Sequence, residues 1–233
     1  MYREHAPVRA LQPFVQCYWT KVGAGLGPQR VLPDGCLDVL VDARRGTARV
    51  IGAMTRASVA DGELLDLVGV RFRPGEAPAL LGGSAAEHTD AAPDLALVWG
   101  TAAAAALAEP IAEATGAARL AHLEAQLLRR LGERWADWRV RRAVGLLEGG
   151  GASIAAVAAA VGLGERQLER LFRERVGLSP KRFARIARVQ RAVAAPAGLA
   201  EVAVRHGFAD ASHVVREFRA LCGVTPGALW GAG

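Results

Sequence analysis

The feature that most constrains this 233-residue chain is a repeat near its C-terminal end. Ser153–Phe183 reads as a short helix, a glycine turn, a second helix, a glycine stop and the start of a third helix. Leu199–Leu229 runs through the same pattern. Ile154/Leu199, Val157/Val202, Ala158/Ala203 and Gly162/Gly207 lie 45 positions apart. Phe172/Phe218, Gly177/Gly223 and Pro180/Pro226 lie 46 apart, so the second turn holds one extra residue. Ser153 can cap the first helix by accepting from an orphan N–H of its opening turn. Ile154, Val157, Ala158 and Val161 recur at helical spacing, and Gly162 ends the element where a left-handed residue is needed. Ser179-Pro180 and Thr225-Pro226 pair an N-cap with an N1 proline at the start of the next helix. A helix, a turn, a helix and a cap in one order, twice over, mark two copies of one supersecondary unit.

The second helix of the first copy, predicted over Glu165–Val176, has two faces. Leu168, Leu171, Phe172 and Val176 form an apolar stripe, and Arg166, Glu169, Arg170 and Arg173 form a charged one. Such a helix, following a tight turn, is what a helix-turn-helix recognition element requires; an ordinary solvated surface helix presents the same pattern. Charge distribution separates the two. Residues 1–133 carry 13 basic and 15 acidic side chains, a net of −2, and residues 134–233 carry 16 and 8, a net of +8. The basic part is the part with the repeat, which fits nucleic-acid binding by one domain and another task for its neighbour.

The tandem pattern resembles the DNA-binding region of the AraC/XylS family of bacterial transcription regulators. The residues that carry the resemblance are GLGERQLERLFRERVGLSP in the first unit and HGFADASHVVREFRALCGVTP in the second, over about the last hundred residues. It implies two helix-turn-helix units joined by one long helix, entering adjacent major grooves on one face of the DNA. That linker is predicted from Pro180 to about Ala194, before Pro196. Its length of about 22 Å, at roughly 1.5 Å per residue, suits grooves about 34 Å apart once the flanking bundles are added. By the same resemblance Arg166, Glu169 and Arg170 occupy base-contacting positions, as do Ser212, His213, Val215 and Arg216. Arg173 and Arg219, one turn further along each helix, point to phosphate. Arginine can grip guanine O6 and N7, and glutamate can accept from cytosine N4. Ion pairing of Glu169 with Arg166 or Arg173 is the alternative. Val215 can meet a thymine methyl or pack on the linker. Gly164 departs from the family's usual serine or threonine N-cap, at a cost of a few tenths of a kcal/mol.

The remainder reads as mostly β followed by helices, so the predicted class is α+β. A β-rich sensor domain with a helical tail (1–133) precedes an all-α tandem helix-turn-helix domain (134–233). Strands are predicted at Phe14–Thr20, on either side of Pro-Asp-Gly within Arg30–Val41, at Arg49–Ile51 and at Leu64–Phe72. The glycine loop Gly23–Pro28 follows the first. A short helix is predicted over Glu76–Leu81, then an alanine-rich helix broken at Pro110, one over Ala117–Arg134, and one over Trp138–Leu147 whose entry Trp135 and Trp138 mark. LPDGC and GVRFRPG resemble an N-terminal domain found in some AraC-family members, implying a cupin-like sensor.

Asp34, Cys36, Asp38, Arg71 and Arg73 are candidates for an effector pocket. Arg71 and Arg73 alternate along a strand and so share a face that suits an anionic ligand; pairing with Asp66 or Glu63 competes with that. Cys36 reads as a buried, inert thiol after a turn, Cys17 as a core residue, and His206, aligned with Val161, as structural. Three cysteines, Cys17, Cys36 and Cys222, are too scattered for a disulfide framework or a zinc site. No Ser-His-Asp, paired-carboxylate or phosphate-loop pattern stands out, so no catalytic residue, metal or cofactor is expected. A methyl-accepting DNA-repair regulator and a protein-interaction module are the alternatives. The expected partners are double-stranded promoter DNA, RNA polymerase, a small-molecule or protein effector and a second copy of the chain. No membrane partner is expected, and the location expected is the cytoplasm.

Overall fold

The computed structural model describes residues 1–23, 27–60, 65–132 and 136–231. Parts of the glycine loop, Glu63, Leu64, Arg134, Trp135 and the boundary at 133/134 therefore lie outside the described residues. Among the described residues the first half is built on seven strands: β1 (Tyr2–His5), β2 (Val15–Gly23), β3 (Gln29–Val31), β4 (Asp38–Asp42), β5 (Thr47–Ile51), β6 (Ser58–Ala60) and β7 (Leu65–Phe72). Five make an antiparallel sheet in the order β1-β2-β7-β4-β5, and β3 with β6 forms a separate two-stranded ribbon. Pro-Asp-Gly therefore does not join a hairpin, because β3 leaves for β6 while β4 pairs with β5 and β7.

Alternation along the strands sorts the sheet into two faces. Val39 pairs with Val70 and Val41 with Val68, and Tyr18 lies opposite Val70 on the other side. These residues, with Phe72, Ala48 and Val50, are buried in the core. The opposite face brings Cys17, Arg71 and Asp38 into one row across β2, β7 and β4.

Helices cover the apolar face. α1 (Pro78–Leu81), α2 (Leu95–Trp99), α3 (Thr101–Glu113) and α4 (Ala117–Leu131) follow the sheet, with a 3₁₀ turn at Ala85–His88. α3 packs on β4 and β5, and α4 on β7. Helix α3 runs through Pro110 instead of breaking there. One backbone bond is lost, but Leu107, Ala108 and Ile111 on either side are buried, so packing holds both parts of the helix in line.

Seven helices follow among the described residues: α5 (Trp138–Gly149), α6 (Ile154–Ala160), α7 (Glu165–Val176), α8 (Pro180–Ala194), α9 (Leu199–His206), α10 (Ala211–Cys222) and α11 (Pro226–Trp230). The caps act as read: Ser153 accepts from Ala156 N, Ser179 from Arg182 N and Thr225 from Ala228 N. Gly177 and Gly223 close the two recognition helices with φ of +83° and +72°.

One continuous apolar cluster joins the two halves. Two turn glycines make the approach possible. Gly35 (φ +80°) lies so close to Phe183 that a Cβ would stand 2.5 Å from its ring, and a Cβ at Gly75 (φ +87°) would collide with Val140. Gly35 belongs to LPDGC and Gly75 to GVRFRPG, so both motifs form turns that rest on the helical half.

Candidate nucleic-acid interface

α6 and α7 form the first helix-turn-helix unit, α9 and α10 the second, with α8 between them. Gly162 and Gly207 take up φ of +69° and +71° in the two turns. α7 buries Leu168, Phe172 and Val176, and α10 buries Val214, Phe218 and Leu221. The opposite faces carry the charges. Arg166, Glu169, Arg170 and Arg173 are exposed on α7, as are Ser212, Arg216 and Arg219 on α10. Arg170 and Arg216 thus occupy equivalent solvent-facing positions, as do Arg173 and Arg219.

Ion pairing distinguishes these arginines. Arg173 Nη2 reaches Glu169 Oε1 at 3.0 Å, one of the two pairings expected for that carboxylate. Among the described residues Arg166, Arg170, Arg216 and Arg219 have no carboxylate within ion-pair distance. An exposed guanidinium with all its donors available is suited to bidentate gripping of a base edge or a phosphate.

The second unit holds two of its candidates more firmly. His213 is half-buried: its Nδ1 accepts from Ala209 N at 3.1 Å, and its ring meets Phe208 edge-on at 5.6 Å. Its backbone N–H donates to the N-cap Asp210. His213 therefore closes the turn as well as flanking the exposed face. Val215 is half-buried.

Beside it sits a residue that sequence reasoning missed. Glu217, buried within the apolar stripe of α10, takes two hydrogen bonds from Arg185 of α8, at 2.9 and 2.8 Å. Burial pushes its carboxyl up, but the hydrogen bonds and charge of Arg185 outweigh that and hold it below its ordinary value. The second recognition helix is thereby fastened to the linker. The signal was a glutamate in an otherwise apolar stripe, which implies a buried partner.

The first half holds the C-terminal ends of both recognition helices. Ser84 Oγ donates to Glu174 O and Thr89 Oγ1 to Gly177 O at the end of α7. Ala57 N donates to Leu221 O and Arg30 Nη1 to Cys222 O at the end of α10. These carbonyls are the groups that a helix leaves without partners at its C-terminus, and a cation there also complements the helix dipole.

The five candidates for an effector pocket are not gathered into one site. Asp38 accepts from Trp19 Nε1 at 3.0 Å and from Arg71 Nε at 3.2 Å, and Asp34 lies 3.4 Å from the same Nε. Burial raises Asp38 to about 6 despite Arg71. Arg71 is thus held by two carboxylates, and Arg73, beyond the end of β7, donates to Gln12 O at 2.8 Å and faces a different cleft. The shared anionic pocket at Arg71 and Arg73 does not form. Asp66, expected as a possible partner of the strand arginines, pairs instead with Arg119 of α4. The Cys36 thiol is buried and held well above its ordinary value, first by burial and then by Asp34 and Asp38. Cys17 is raised to about 11, chiefly by burial, and Cys222 is buried too.

Two exposed, arginine-bearing helices in tandem, each seated on a short helix and joined by a third, define a helix-turn-helix DNA-binding regulator. A family model described as a helix-turn-helix domain matches residues 157–230, and one described as a domain of unknown function (DUF6597) matches residues 3–94. The first of these matches spans α7 to α10, the two recognition helices and the linker between them. No curated protein matches it. Among solved structures it is similar to ToxT from Vibrio cholerae, with a TM-score of 0.45 at 10% identity over 99% of this chain and 97% of that one. It is also similar to ToxT from strain O395 bound to (E)-4-(8-methylnaphthalen-1-yl)but-3-enoic acid, with a TM-score of 0.45 at 9% identity over 98% of each chain. No described helix is long and apolar enough to cross a membrane.

Proposed function

We propose that α7 and α10 enter successive major-groove segments of promoter DNA, with Arg170 and Arg216 reading base edges and Arg173 and Arg219 contacting phosphates. Arg166, Glu169, Ser212, His213 and Val215 complete the two reading faces. The observation that carries this is the equivalence of Arg170 and Arg216: both are exposed, neither is ion-paired, and each stands opposite the buried stripe of its helix. Residues 1–133 act as the sensor of a small-molecule effector and residues 134–233 as the DNA-binding domain. Regulation in the cytoplasm follows through contact with RNA polymerase or by blocking it, with a homodimer as the working form.

The test is a binding-site selection with the full chain, repeated for Arg170→Ala and Arg216→Ala. Each variant is expected to relax preference at one base pair, and the two positions to lie about one helical turn apart. An unchanged preferred site for both variants would show that these helices do not read DNA with this face.

A further inference from the structure

A cleft of about 520 Å³ separates the first half from α5. Arg73 and Glu76 contribute to one wall, and Arg141, Gly145 and Glu148 of α5 to the other. Glu76 is only 1% exposed. Neither of its carboxylate oxygens accepts a hydrogen bond. The nearest cation, Arg141 Nη2, is 3.6 Å from Oε1 and donates instead to Pro13 O. Burial raises the Glu76 carboxyl to about 7 in spite of Arg141 and Arg175. A buried acceptor without a donor is costly, and an incoming donor relieves that cost.

The rest of the cleft has complementary features. Arg73 is exposed, spends its Nε on Gln12 O, and has no carboxylate within ion-pair distance among the described residues. Gly145 interrupts α5 with no side chain, and a Cβ built there would meet nothing within 4 Å. The helix thus leaves room at the wall where most residues would intrude.

We infer that this cleft binds a small zwitterion, an amino acid or dipeptide, whose ammonium is taken by Glu76 and whose carboxylate is taken by Arg73. The inference rests on reading the first half as a sensor. Its volume lies in the range of small-molecule sites. Its position also gives binding a consequence: α5 packs against both α7 and α8, so an occupant bridging the two walls bears on the first recognition helix.

The experiment is thermal denaturation of the full chain with the proteinogenic L-amino acids and the glycyl dipeptides, with butylamine and propionate as half-ligands. At least one zwitterion should raise the melting temperature saturably, and neither half-ligand should do so at the same concentration. Glu76→Gln and Arg73→Ala should each weaken that ligand about tenfold or more, the scale of a lost charge-assisted contact. Gly145→Leu should abolish binding by filling the cleft, while a better helix former keeps α5 intact by circular dichroism. The inference is overturned if no zwitterion stabilises the protein, if butylamine does so equally well, or if Gly145→Leu binds like the wild type. Retardation of promoter DNA by the same preparations separates the two readings. DNA binding without a zwitterion shift removes the cleft site alone, and a zwitterion shift without DNA binding removes the regulator reading alone.

Discussion

The two helix-turn-helix units share one plan and differ in how firmly the recognition helix is held. In the first unit the only ion pair on α7 among the described residues joins two exposed residues of the same helix, Glu169 and Arg173, with side chains 52% and 63% exposed. In the second, Glu217 is buried and doubly bonded to Arg185 of α8, His213 seals the turn against Phe208, and Asp210 caps the helix through its side chain. Arg188 of α8 also lies over the Phe208 ring at 5.5 Å. Both recognition helices rest on an apolar stripe and on the first half of the chain, and the second adds a polar network to the linker. Duplicated units with the same apolar pattern can thus be tied to their surroundings in different ways.

The largest effect should come from cutting the network of the second unit. Glu217→Ala leaves Arg185 without its partner and should destabilise the protein by about 2 kcal/mol. That is less than the 3–5 of a fully buried pair, because a third of the Arg185 side chain remains in solvent (33%). Glu169→Ala should cost about 0.5 kcal/mol or less, as exposed i,i+4 pairs do. Denaturant unfolding checks both, and equal costs would erase the distinction between the units. Acid adds a second measure. Because Glu217 is depressed below its ordinary 4.5 in the folded protein, its share of stability is present above that pH. It is lost as the pH falls through the lower folded value. Glu217→Gln should therefore flatten the acid limb of the unfolding curve.

Binding should be affected more evenly than stability. Arg170→Ala and Arg216→Ala should each cost about 1–3 kcal/mol on the preferred site. Neither should alter the helical circular dichroism, since both lie off the buried stripe. Arg219→Ala should weaken binding to all sequences and lower the salt slope by about one unit. Arg173→Ala should lower it by less, because Glu169 already balances part of that charge. A larger slope change for Arg173 than for Arg219 would reverse the assignment of which unit is the more tightly paired before DNA arrives.

What could be read in advance follows the range of the interactions. Glu165–Val176 and Pro180–Ala194 match the predicted helices residue for residue, because caps, proline and glycine stops act within one turn. Strand pairing acts over long separations, so the strands on either side of Pro-Asp-Gly could be placed but not their partners, β6 for β3 and β5 with β7 for β4. The same holds at the site. Exposure of Arg170 and Arg216 follows from the local stripe, but the partner of Glu217 lies 32 residues away. Glu76 read as the first residue of a helix, although it stands in a turn before α1, and its burial depends on α5 of the other half. The pairing of Arg71 with Asp38 required the β4–β7 register.

The smallest effect tests the difference at the helix starts. Gly164 caps α7 with φ of −77° and ψ of 158°, an extended conformation that any residue adopts. With no side chain to accept from the first turn, its own N–H donates instead to Gln167 Oε1 at 2.9 Å, which is half of a capping box. A Cβ there would meet only that Gln167 oxygen, at an ordinary 3.7 Å. Gly164→Ser should therefore complete the box and stabilise the protein by a few tenths of a kcal/mol. Asp210→Gly should lose a similar amount in the second unit. If the cap is all that differs, the two changes together should nearly cancel, since the helices begin far enough apart to act independently. A loss several times larger from Asp210→Gly would mean that the aspartate also steadies His213 and, through it, the Glu217 network; the cap would then be part of what makes the second unit rigid.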